Sequence, residues 1–312
     1  MNPTSLSELR ATFGDRMQEN APLSSYTAAR IGGPADALIF VRNAAELVEG
    51  AAKLWKMNIP FIVLGGGSNV LVSDQGVRGV VIINRARLLK FNSQAEPPTV
   101  HAETGVTPND IAQRAARLGL AGFEWAAAIP GSLGGALYGN AGAFGGDMAG
   151  TVISVEVYHR QDGIQAWPVG KLEYGYRTSL LKRERPPIVL LSAELALSHA
   201  DKQTILNRME QFSAQRRSTQ PPGASMGSMF KNPPGDKAGR LIEAAGLKGK
   251  CIGSATISDQ HANFFINATH ANAQRTGTGA ADMRALIELA QKTVLDRFGI
   301  NLELEVECIG EW

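Results

Sequence analysis

A glycine-rich stretch at residues 129–146, IPGSLGGALYGNAGAFGG, constrains the fold of this chain more than any other feature. It holds seven glycines in eighteen residues, where an average usage of about 7% would give one or two. Each glycine held in regular structure costs about 0.5–1 kcal/mol in conformational entropy, so another interaction must offset that cost. Backbone N–H groups without neighbouring Cβ atoms can approach a phosphate or a flat ring, and a helix that begins at Pro130 and Gly131 would point free N–H groups at an anion. A loop at which two backbones pack tightly is the structural alternative.

A second glycine-rich loop comes about sixty residues earlier in the chain. It follows an apolar, strand-like run at residues 61–64, and two more strand-like runs, at 70–72 and 79–83, come after it. A dinucleotide-binding fingerprint of the Rossmann type would need a helix at that point, and the loop has no lysine of a nucleoside triphosphatase. The pattern instead predicts a nest of backbone donors between two strands, which suits a pyrophosphate. The loop residues are Gly65, Gly66, Gly67, Ser68 and Asn69.

The composition excludes several classes of protein. With 312 residues, 44% hydrophobic and 19% charged, the chain has the profile of a globular protein with two or three structural units. A net charge of +2 gives no general attraction to nucleic acid or to an anionic membrane, so we expect neither as a partner. No run approaches the roughly 20 apolar residues of a membrane span, and the first residues lack the apolar core of a signal peptide, which predicts a cytoplasmic protein. We interpret the two cysteines, Cys251 and Cys308, as buried free thiols.

Periodicity and capping residues predict an α+β chain. Ser5 and Glu8 have the spacing of a capping box for a helix over residues 5–19, and Thr107 is placed to cap a helix that runs to about residue 118. Further helices are expected at about residues 44–57, 201–215, 237–245 and 280–298. Strands are expected at about residues 37–41, 151–158, 188–196 and 261–268.

The third part of the chain carries a local excess of positive charge. Residues 216–250 hold seven basic side chains against two acidic ones, and a helix is expected to begin within this region. This pattern predicts an anion site, although a solvated basic face would give the same composition.

The last segment, residues 302–309, alternates strictly between apolar and acidic residues and therefore predicts a strand. One face would carry Leu302, Leu304, Val306 and Cys308, and the other Glu303, Glu305 and Glu307. Three carboxylates on one face usually indicate a solvent-facing strand, and one of them could be catalytic if that face lines a cleft.

Seven motifs follow one another along nearly the whole chain. They are GGGSN at 65–69, IPGSLGGALYGNAGAFGG at 129–146, YGYRTS at 174–179, GSMFKNP at 227–233, AGRLIEAAGLKG at 238–249, HANFFIN at 261–267 and LEVECIGE at 304–311. Together they resemble the UDP-N-acetylenolpyruvoylglucosamine reductase family, flavoenzymes of the second committed step of peptidoglycan precursor synthesis. No extra segment separates the YRTS region from the following strand, and in this the chain resembles the shorter, second structural type of the family.

The resemblance implies an α+β fold with two parts. One is a two-lobed FAD-binding region of the vanillyl-alcohol oxidase/p-cresol methylhydroxylase type, expected at residues 1–200 with lobes at about 1–85 and 86–200. The other is a smaller α/β substrate-binding domain, expected at residues 201–300. Residues 301–312 would return to the active-site cleft as a strand. The implied protein is a monomer that holds FAD non-covalently and is reduced by NADPH.

The implied reaction converts UDP-N-acetylglucosamine enolpyruvate to UDP-N-acetylmuramate, with a hydride from reduced flavin added at C3 of the enolpyruvyl group. Arg177 matches the arginine of the family's Tyr-Arg-x-Ser motif and would stabilise the negative charge that develops beside the substrate carboxylate. Ser228 matches the family's general acid and would protonate C2. Glu305 matches the glutamate of the last motif and would bind or protonate near the same carboxylate.

The remaining candidate residues fall into two groups. The glycine-rich stretches supply those for FAD, which are Gly65, Gly66, Gly67, Ser68, Asn69, Pro130, Gly131, Ser132, Gly135, Asn140 and Gly142. The basic region and the motif after it supply those for the UDP-sugar, which are Lys231, Asn232, Arg240 and His261. The other histidines, His101, His159, His199 and His270, lack the spacing of metal ligands, so no metal is expected.

The chain departs from the family pattern in three places. Met226 stands before Gly227, where the family usually has a small residue, and the link from Gln220 to Gly227 is a little short. Glu307 stands where many members have arginine, so an ion pair made by that arginine would be missing.

Two other functions remain open from the sequence. A related FAD-dependent alcohol or sugar oxidase would share the FAD-binding half, but such enzymes commonly link flavin to a histidine in the first glycine loop, where this chain has Ser68 and Asn69. A sugar-nucleotide sensor without activity would not need Arg177, Ser228 and Glu305 together.

Overall fold

The computed structural model of the protein describes residues 3–268 and 279–312. The first part of the chain forms, in order, α1 Pro3–Phe13, β1 Met17–Pro22, β2 Pro34–Val41, α2 Ala44–Lys56, β3 Phe61–Leu64, β4 Val70–Val72 and β5 Val77–Asn84. A four-stranded sheet has the order β1-β2-β5-β3, in which β2, β5 and β3 run parallel and β1 is antiparallel.

The central strand β5 explains how this sheet is packed. It is buried on both faces, which accounts for its nearly continuous apolar sequence. Val80 and Ile82 belong to a core that includes the buried face of α2, while Val81 and Ile83 belong to a second core on the opposite side. The sheet is therefore covered on both faces, and the first glycine-rich loop follows β3, its edge strand.

The middle of the chain forms a second sheet and several helices. Its elements are β6 Leu89–Asn92, β7 Thr99–Glu103, α3 Pro108–Arg117, β8 Leu120–Ala121, α4 Leu133–Gly139, β9 Gly142–Ala143, β10 Gly146–Asp147, β11 Val152–His159, β12 Gly163–Pro168, α5 Leu180–Glu184, β13 Ile188–Ala196, β14 Ser198–His199 and α6 Lys202–Thr219. The sheet is antiparallel throughout, with the order β12-β11-β13-β7-β6. α2 packs against β13 as well as against the first sheet, so the two sheets are joined through this helix. Ile205 and Met209 place α6 on the core of the second sheet.

The last part of the chain forms a third sheet with two helices. The elements are β15 Ala224–Ser228, α7 Ala238–Ala244, β16 Cys251–Ile252, β17 Ala255–Ile257, β18 Phe264–Asn267, α8 Ala280–Phe298 and β19 Glu307–Ile309. The sheet is antiparallel in the order β15-β18-β17-β16, and α7 and α8 share its core. β19 leaves this part and pairs in parallel with β4, which brings the end of the chain beside the first glycine-rich loop.

The predicted helix over residues 5–19 is wrong in its bounds. α1 begins at Pro3, so Ser5 lies inside the helix and does not occupy its cap position. The helix ends at Phe13 because Gly14 takes a positive φ of +50°, and the chain continues as the edge strand β1. The helical spacing of apolar residues therefore continues to Met17, although the helix has already ended at Phe13.

Most other predicted elements are confirmed near their expected bounds. Thr107 Oγ1 accepts a hydrogen bond from the Asp110 N–H at 3.1 Å and caps α3 as predicted. The helix expected to begin at Pro130 begins instead at Leu133, with Ser132 as its N-cap. The strand expected over 261–268 is shorter, and β6, β7 and β12 were not predicted.

The last segment differs from its predicted single strand. Leu304 forms an isolated bridge with Phe230, and regular pairing is limited to β19. Leu302 and Val306 are buried, but Cys308 is exposed. Alternation identifies residues that share a face without showing whether another element covers that face.

The prediction of two buried thiols is wrong, because Cys251 is exposed as well as Cys308. Across residues 3–268 and 279–312, no helix is long and apolar enough to cross a membrane.

Candidate active site

The two glycine-rich stretches lie directly against each other. A Cβ at Gly66 would lie 2.7 Å from Gly131 Cα, and one at Gly65 would collide with Ser132 Oγ. Gly67 takes a φ of +58°, and a Cβ there would collide with the carbonyl oxygen of Tyr26. Close backbone packing therefore requires these glycines, and the same packing forms one wall of a cleft.

The cleft between the two stretches has a volume of about 280 Å³. Gly65, Gly66, Gly131 and Ser132 line it, from among the predicted FAD candidates. Sequence reasoning missed its other lining residues, which are Ser25, Tyr26, Thr27, Ala28, Ile83, Asn84, Arg85, Arg87, Gly105 and Thr107. One signal was available, because residues 84–87 follow the predicted strand at 79–83, which the structure shows to be parallel to its neighbours, and ligands commonly bind at the carboxyl ends of such strands.

Two arginines give this cleft its charge. Arg85 lies over the ring of Phe40 at 4.5 Å, and Arg87 lines the cleft beside it. Within the part of the chain that the structure describes, neither guanidinium forms an ion pair with a carboxylate. Two cations without acidic partners, beside backbone that carries no Cβ atoms, suit the diphosphate of a dinucleotide.

Other predicted FAD residues hold the two stretches in place. Ser68 Oγ donates to the Pro130 carbonyl oxygen at 3.3 Å, which joins the first loop to the second stretch. Gly135 N–H donates to Ser132 Oγ at 3.4 Å and completes the N-cap of α4. Their predicted contact with FAD stays a prediction.

Asn140 and Gly142 lie beyond α4 and outside the lining of the cleft. Asn140 ends α4 with a φ of +46°, and its Nδ2 donates to the Gly175 carbonyl oxygen at 3.0 Å. Gly142 pairs with Asp147 between β9 and β10. The structure thus gives Asn140 a contact with the turn that carries Arg177 and places Gly142 in the β9–β10 pair, and the FAD role of both stays a prediction.

Arg177 and Glu305 form a largely buried ion pair. Arg177 has a φ of +54° in a tight turn closed by backbone bonds between Gly175 and Thr178. Its Nε lies 3.0 Å from Glu305 Oε1, and the two side chains are 26% and 18% exposed. The alignment is too poor for a hydrogen bond, so Arg177 Nε is a buried donor without a partner in the described residues. An unsatisfied buried donor is costly, and a bound ligand is one of the groups that could satisfy it.

Glu305 lies where the three parts of the chain meet. Its N–H donates to the Met229 carbonyl oxygen at 2.9 Å, and its own carbonyl oxygen accepts from Asn69 Nδ2 at 3.1 Å. Burial raises the pKa of the Glu305 carboxyl, while the charges of Arg177, Lys182 and Lys231 lower it. Asn69 thus links the first glycine-rich loop to the Arg177–Glu305 pair.

Ser228 ends β15, one residue before Met229 and opposite Phe264 in the sheet. Gly227 takes a φ of +79° where the pairing of β15 and β18 shifts register, which requires glycine at this position. Met226, one of the departures from the family pattern, is buried in the core of the third sheet. The Met229 carbonyl bond to Glu305 holds the Ser228 segment beside the acidic segment.

The substrate candidates surround the start of α7. Asn232 Oδ1 accepts from the Ala238 N–H at 3.1 Å, and the Asn232 N–H donates to the Tyr176 hydroxyl at 3.4 Å. Lys231 Nζ forms a short ion pair with Glu303. The structure therefore places Lys231 and Asn232 next to the turn that carries Arg177.

Arg240 lies on α7, and His261 lies just before β18. Arg240 is exposed, and its Nε donates to Asp236 Oδ1 at 2.7 Å, which lowers the pKa of Asp236 to about 2. Burial lowers the pKa of His261, whose Nδ1 accepts from the Asn263 N–H at 3.2 Å. Both side chains therefore have hydrogen-bond partners within the protein, and their contacts with the substrate stay predictions.

The other histidines are dispersed. His101 lies on β7, His159 ends β11, and His199 is exposed on β14, while His270 lies outside the described residues. Among the residues that the structure describes, no group of three or more His, Cys, Asp and Glu side chains is arranged to hold a metal ion.

Comparisons with known proteins decide the family. A family model described as UDP-N-acetylenolpyruvoylglucosamine reductase, C-terminal domain, matches residues 219–309, and one described as FAD binding domain matches residues 35–166. UDP-N-acetylenolpyruvoylglucosamine reductases of Chloroflexus aggregans and Bacillus subtilis are 41% and 38% identical over 94% and 98% of this chain, and the matches cover 97% and 98% of those proteins. The chain belongs to the UDP-N-acetylenolpyruvoylglucosamine reductase family.

A solved structure agrees with this assignment. The crystal structure of UDP-N-acetylenolpyruvylglucosamine reductase from Thermus caldophilus is 35% identical, with a TM-score of 0.77 over 94% of this chain and 97% of that one. The predicted family, the α+β fold with an FAD-binding region, and the FAD-containing oxidoreductase class are confirmed. The backbone cradle and unpaired arginines of the cleft fit FAD, which Gly65, Gly66 and Arg85 are placed to hold.

Glu307 is the departure with the clearest structural consequence. Its carboxylate pairs with Lys182 of α5 and with Arg185, the C-cap residue of that helix. Glu307 Oε1 lies 2.8 Å from Lys182 Nζ, and Oε2 lies 3.1 Å from Arg185 Nη2. Sequence reasoning missed Lys182 because nothing local to α5 indicates a partner on the last strand.

Proposed function

We propose that this protein reduces the enolpyruvyl group of UDP-N-acetylglucosamine enolpyruvate, with NADPH as reductant, to give UDP-N-acetylmuramate for peptidoglycan synthesis. The observation that carries the proposal is the buried Arg177–Glu305 pair, which Asn69 ties to the glycine-lined cleft. A cationic fork with an unsatisfied donor, next to a dinucleotide cleft, suits a carboxylate substrate that receives a hydride. The names of the relatives support the same substrate.

Arg177 stabilises the charge that develops during the reaction. Hydride addition at C3 of the enolpyruvyl double bond places an electron pair at C2, conjugated with the substrate carboxylate. A guanidinium is permanently charged and can bind both oxygens of a carboxylate. The Arg177 Nε that lacks a hydrogen-bond partner is free to donate to that group. Fixed charges of this kind are often the largest single contribution to catalysis.

Ser228 gives the proton to C2, which completes the addition of H⁻ and H⁺ across the double bond. A serine hydroxyl is a weak acid, but a carbanionic centre is basic enough to take its proton when the geometry is fixed. The backbone bond from Glu305 to Met229 fixes that geometry, because it holds the residue next to Ser228. When bound, FAD supplies the hydride chemistry that protein side chains cannot provide.

The raised pKa of Glu305 suits contact with the substrate carboxylate, because burial favours the neutral acid, which can donate a hydrogen bond. Lys231, Asn232 and Arg240 hold the diphosphate of the nucleotide sugar, with His261 beside them. We propose a monomeric enzyme, as the family resemblance implies. We place the enzyme in the cytoplasm, where NADPH and nucleotide sugars are made.

Anaerobic stopped-flow absorbance tests the proposal by separating its two half-reactions. NADPH should bleach the flavin of the wild-type protein, and UDP-N-acetylglucosamine enolpyruvate should restore it. Ser228→Ala should leave bleaching unchanged and slow restoration by about 10²- to 10⁴-fold, the usual contribution of a general acid. Ser225→Ala, on the same strand, is the matched control and should behave as wild type.

Three results would contradict parts of this proposal. A wild-type flavin that stays reduced until oxygen is admitted would indicate an oxidase. A protein that binds the substrate without any change in a reduced flavin would indicate a sensor. Equal restoration rates in Ser228→Ala and wild type would remove Ser228 as the acid.

A further inference from the structure

Lys182 connects α5 to the segment that carries Glu305. Its Nζ lies 2.8 Å from Glu307 Oε1 and donates to the Glu305 carbonyl oxygen at 3.3 Å. The Lys182 and Glu307 side chains are only 14% and 19% exposed, so solvent screens this contact less than a surface ion pair. One side chain therefore contacts both Glu305 and the residue two positions after it.

Hydrogen bonds of Ser179 hold the start of α5, the helix that carries Lys182. Ser179 is fully buried and caps α5, because its Oγ accepts from the Lys182 N–H at 3.2 Å. The same hydroxyl donates to the Tyr138 carbonyl oxygen at 2.6 Å, which attaches α5 to α4 and the second glycine-rich stretch. Lys182 thus extends from a rigid part of the FAD-binding half to the last strand.

The Glu305 segment depends on such individual contacts. Between residues 302 and 306 the described pairing is the single bridge of Leu304 with Phe230, so no continuous ladder sets the position of Glu305. Met229 and Asn69 hold its backbone from two sides, and Lys182 holds it from a third. Loss of one contact would allow the carboxylate to shift relative to Arg177.

The acidic neighbours of Glu305 also neutralise its other cations. Glu307 pairs with Lys182 and Arg185, and Glu303 pairs with Lys231. Arg177 is the cation that keeps a buried donor without a hydrogen-bond partner in the described residues. Glu307 therefore gives the Lys182 ammonium a carboxylate partner of its own, and Arg177 is the cation paired with the Glu305 carboxylate.

We propose that the Lys182–Glu307 bridge is a positioning element of the active site, in which Glu307 orients Lys182 and Lys182 fixes the backbone of Glu305 against Arg177. Neither residue touches the reacting atoms. The inference rests on the proposed function, because it assigns the bridge to the step in which the enolpyruvyl substrate reoxidises the flavin. It predicts that reduction of the flavin by NADPH does not depend on the bridge.

Two single variants and their double variant test the bridge in the FAD-loaded enzyme. Lys182→Met and Glu307→Gln should each slow flavin reoxidation by UDP-N-acetylglucosamine enolpyruvate by about 10- to 100-fold, the scale expected for misplacement of a catalytic group by about 1 Å. Because each change breaks the same bridge, the double variant should lose about as much as one single variant. Lys182→Arg keeps the charge and donors and should retain most of the rate.

Arg183→Gln is the matched control, because Arg183 is on the same helix and pairs instead with Glu173. It should leave both half-reactions unchanged. Flavin content and the rate of bleaching by NADPH report whether each variant is folded, and both should equal those of wild type.

Two outcomes would overturn the inference. Reoxidation rates of the single variants equal to wild type, or losses that multiply in the double variant, would show that the two residues do not act as one positioning unit. A wild-type flavin that the substrate cannot reoxidise would instead contradict the proposed function, and the inference with it. Slow bleaching in the variants would assign the bridge to general folding of the FAD-binding half.

Discussion

Replacing Arg177 by glutamine would leave the Glu305 carboxylate buried without its nearest cation. The two groups are 3.0 Å apart, and Arg177 is the largest of the three charges that lower the raised pKa of Glu305. Glutamine has the same difficulty as arginine at a φ of +54°, so the substitution changes charge and leaves backbone strain unaltered.

The size of the effect follows from the distance and burial of the pair. Two unit charges 3.0 Å apart attract by roughly 5 kcal/mol at an effective dielectric constant of about 20. Removing one member of a fully buried pair costs about 3–5 kcal/mol. Because both side chains keep some exposure and Lys182 and Lys231 remain, we expect the free energy of unfolding at pH 8 to fall by about 1–3 kcal/mol.

The loss should depend on pH with a defined sign. Burial already raises the pKa of Glu305 above its value in the unfolded chain, and removing Arg177 raises that pKa further. A carboxyl with a raised folded-state pKa stabilises the protein below its unfolded pKa of about 4.3, and this contribution is lost as pH rises through the folded pKa. The deficit of Arg177→Gln relative to wild type should therefore be small near pH 5 and full at pH 8.

Thermal unfolding at both pH values provides the assay. A change of 1 kcal/mol corresponds to about 2–4 °C in the apparent melting temperature of domains of this size. Arg183→Gln, which removes an exposed charge from α5, should shift it by less than about 2 °C at either pH. An equal deficit for Arg177→Gln at pH 5 and pH 8 would refute the reasoning, because it would exclude the ionised Glu305 carboxylate as the cause.

Two further substitutions test the framework of the site. Gly66→Ala places a Cβ 2.7 Å from Gly131 Cα and should strongly reduce bound flavin, measured as the visible-to-280 nm absorbance ratio. In the control Gly139→Ala, the new Cβ in α4 meets no atom within 4 Å, so this variant should keep its flavin. Equal flavin content in both variants would contradict the packing argument. Asn263→Ala breaks the buried pair of hydrogen bonds with the Phe230 backbone, at 2.9 and 2.8 Å, and should lower the free energy of unfolding in urea by about 2–4 kcal/mol. A loss below about 1 kcal/mol would show that solvent replaces those bonds.

Elements with strong local signals could be predicted from the sequence. α2 and α3 lie close to their predicted bounds, and the side-chain hydrogen bond of Thr107 confirms the predicted cap of α3, while the cap of α2 by Asn43 was not predicted. β5 is a continuous apolar run, which a strand buried on both faces requires. The glycine-rich stretches were identified because so many glycines need a special reason, although that reason proved to be mutual packing as well as space for a ligand.

Strands with weak sequence signals were missed where pairing with a distant part of the chain decides whether a strand forms. β6, β7 and β12 are short and partly exposed, and they are strands because β12 pairs with β11, β7 with β13 and β6 with β7. Alternation placed Cys308 on a buried face, but the structure leaves that position exposed.

The sequence by itself determined the family and the fold class, because glycine loops, capped helices and motif order are properties of short segments. Only the tertiary structure decided which charges meet. By alternation alone Glu305 looks like its neighbours Glu303 and Glu307, and its contact with Arg177 separates it from them. Electrostatic interactions depend on distance and burial, and residues far apart in the chain acquire these properties only when the backbone folds.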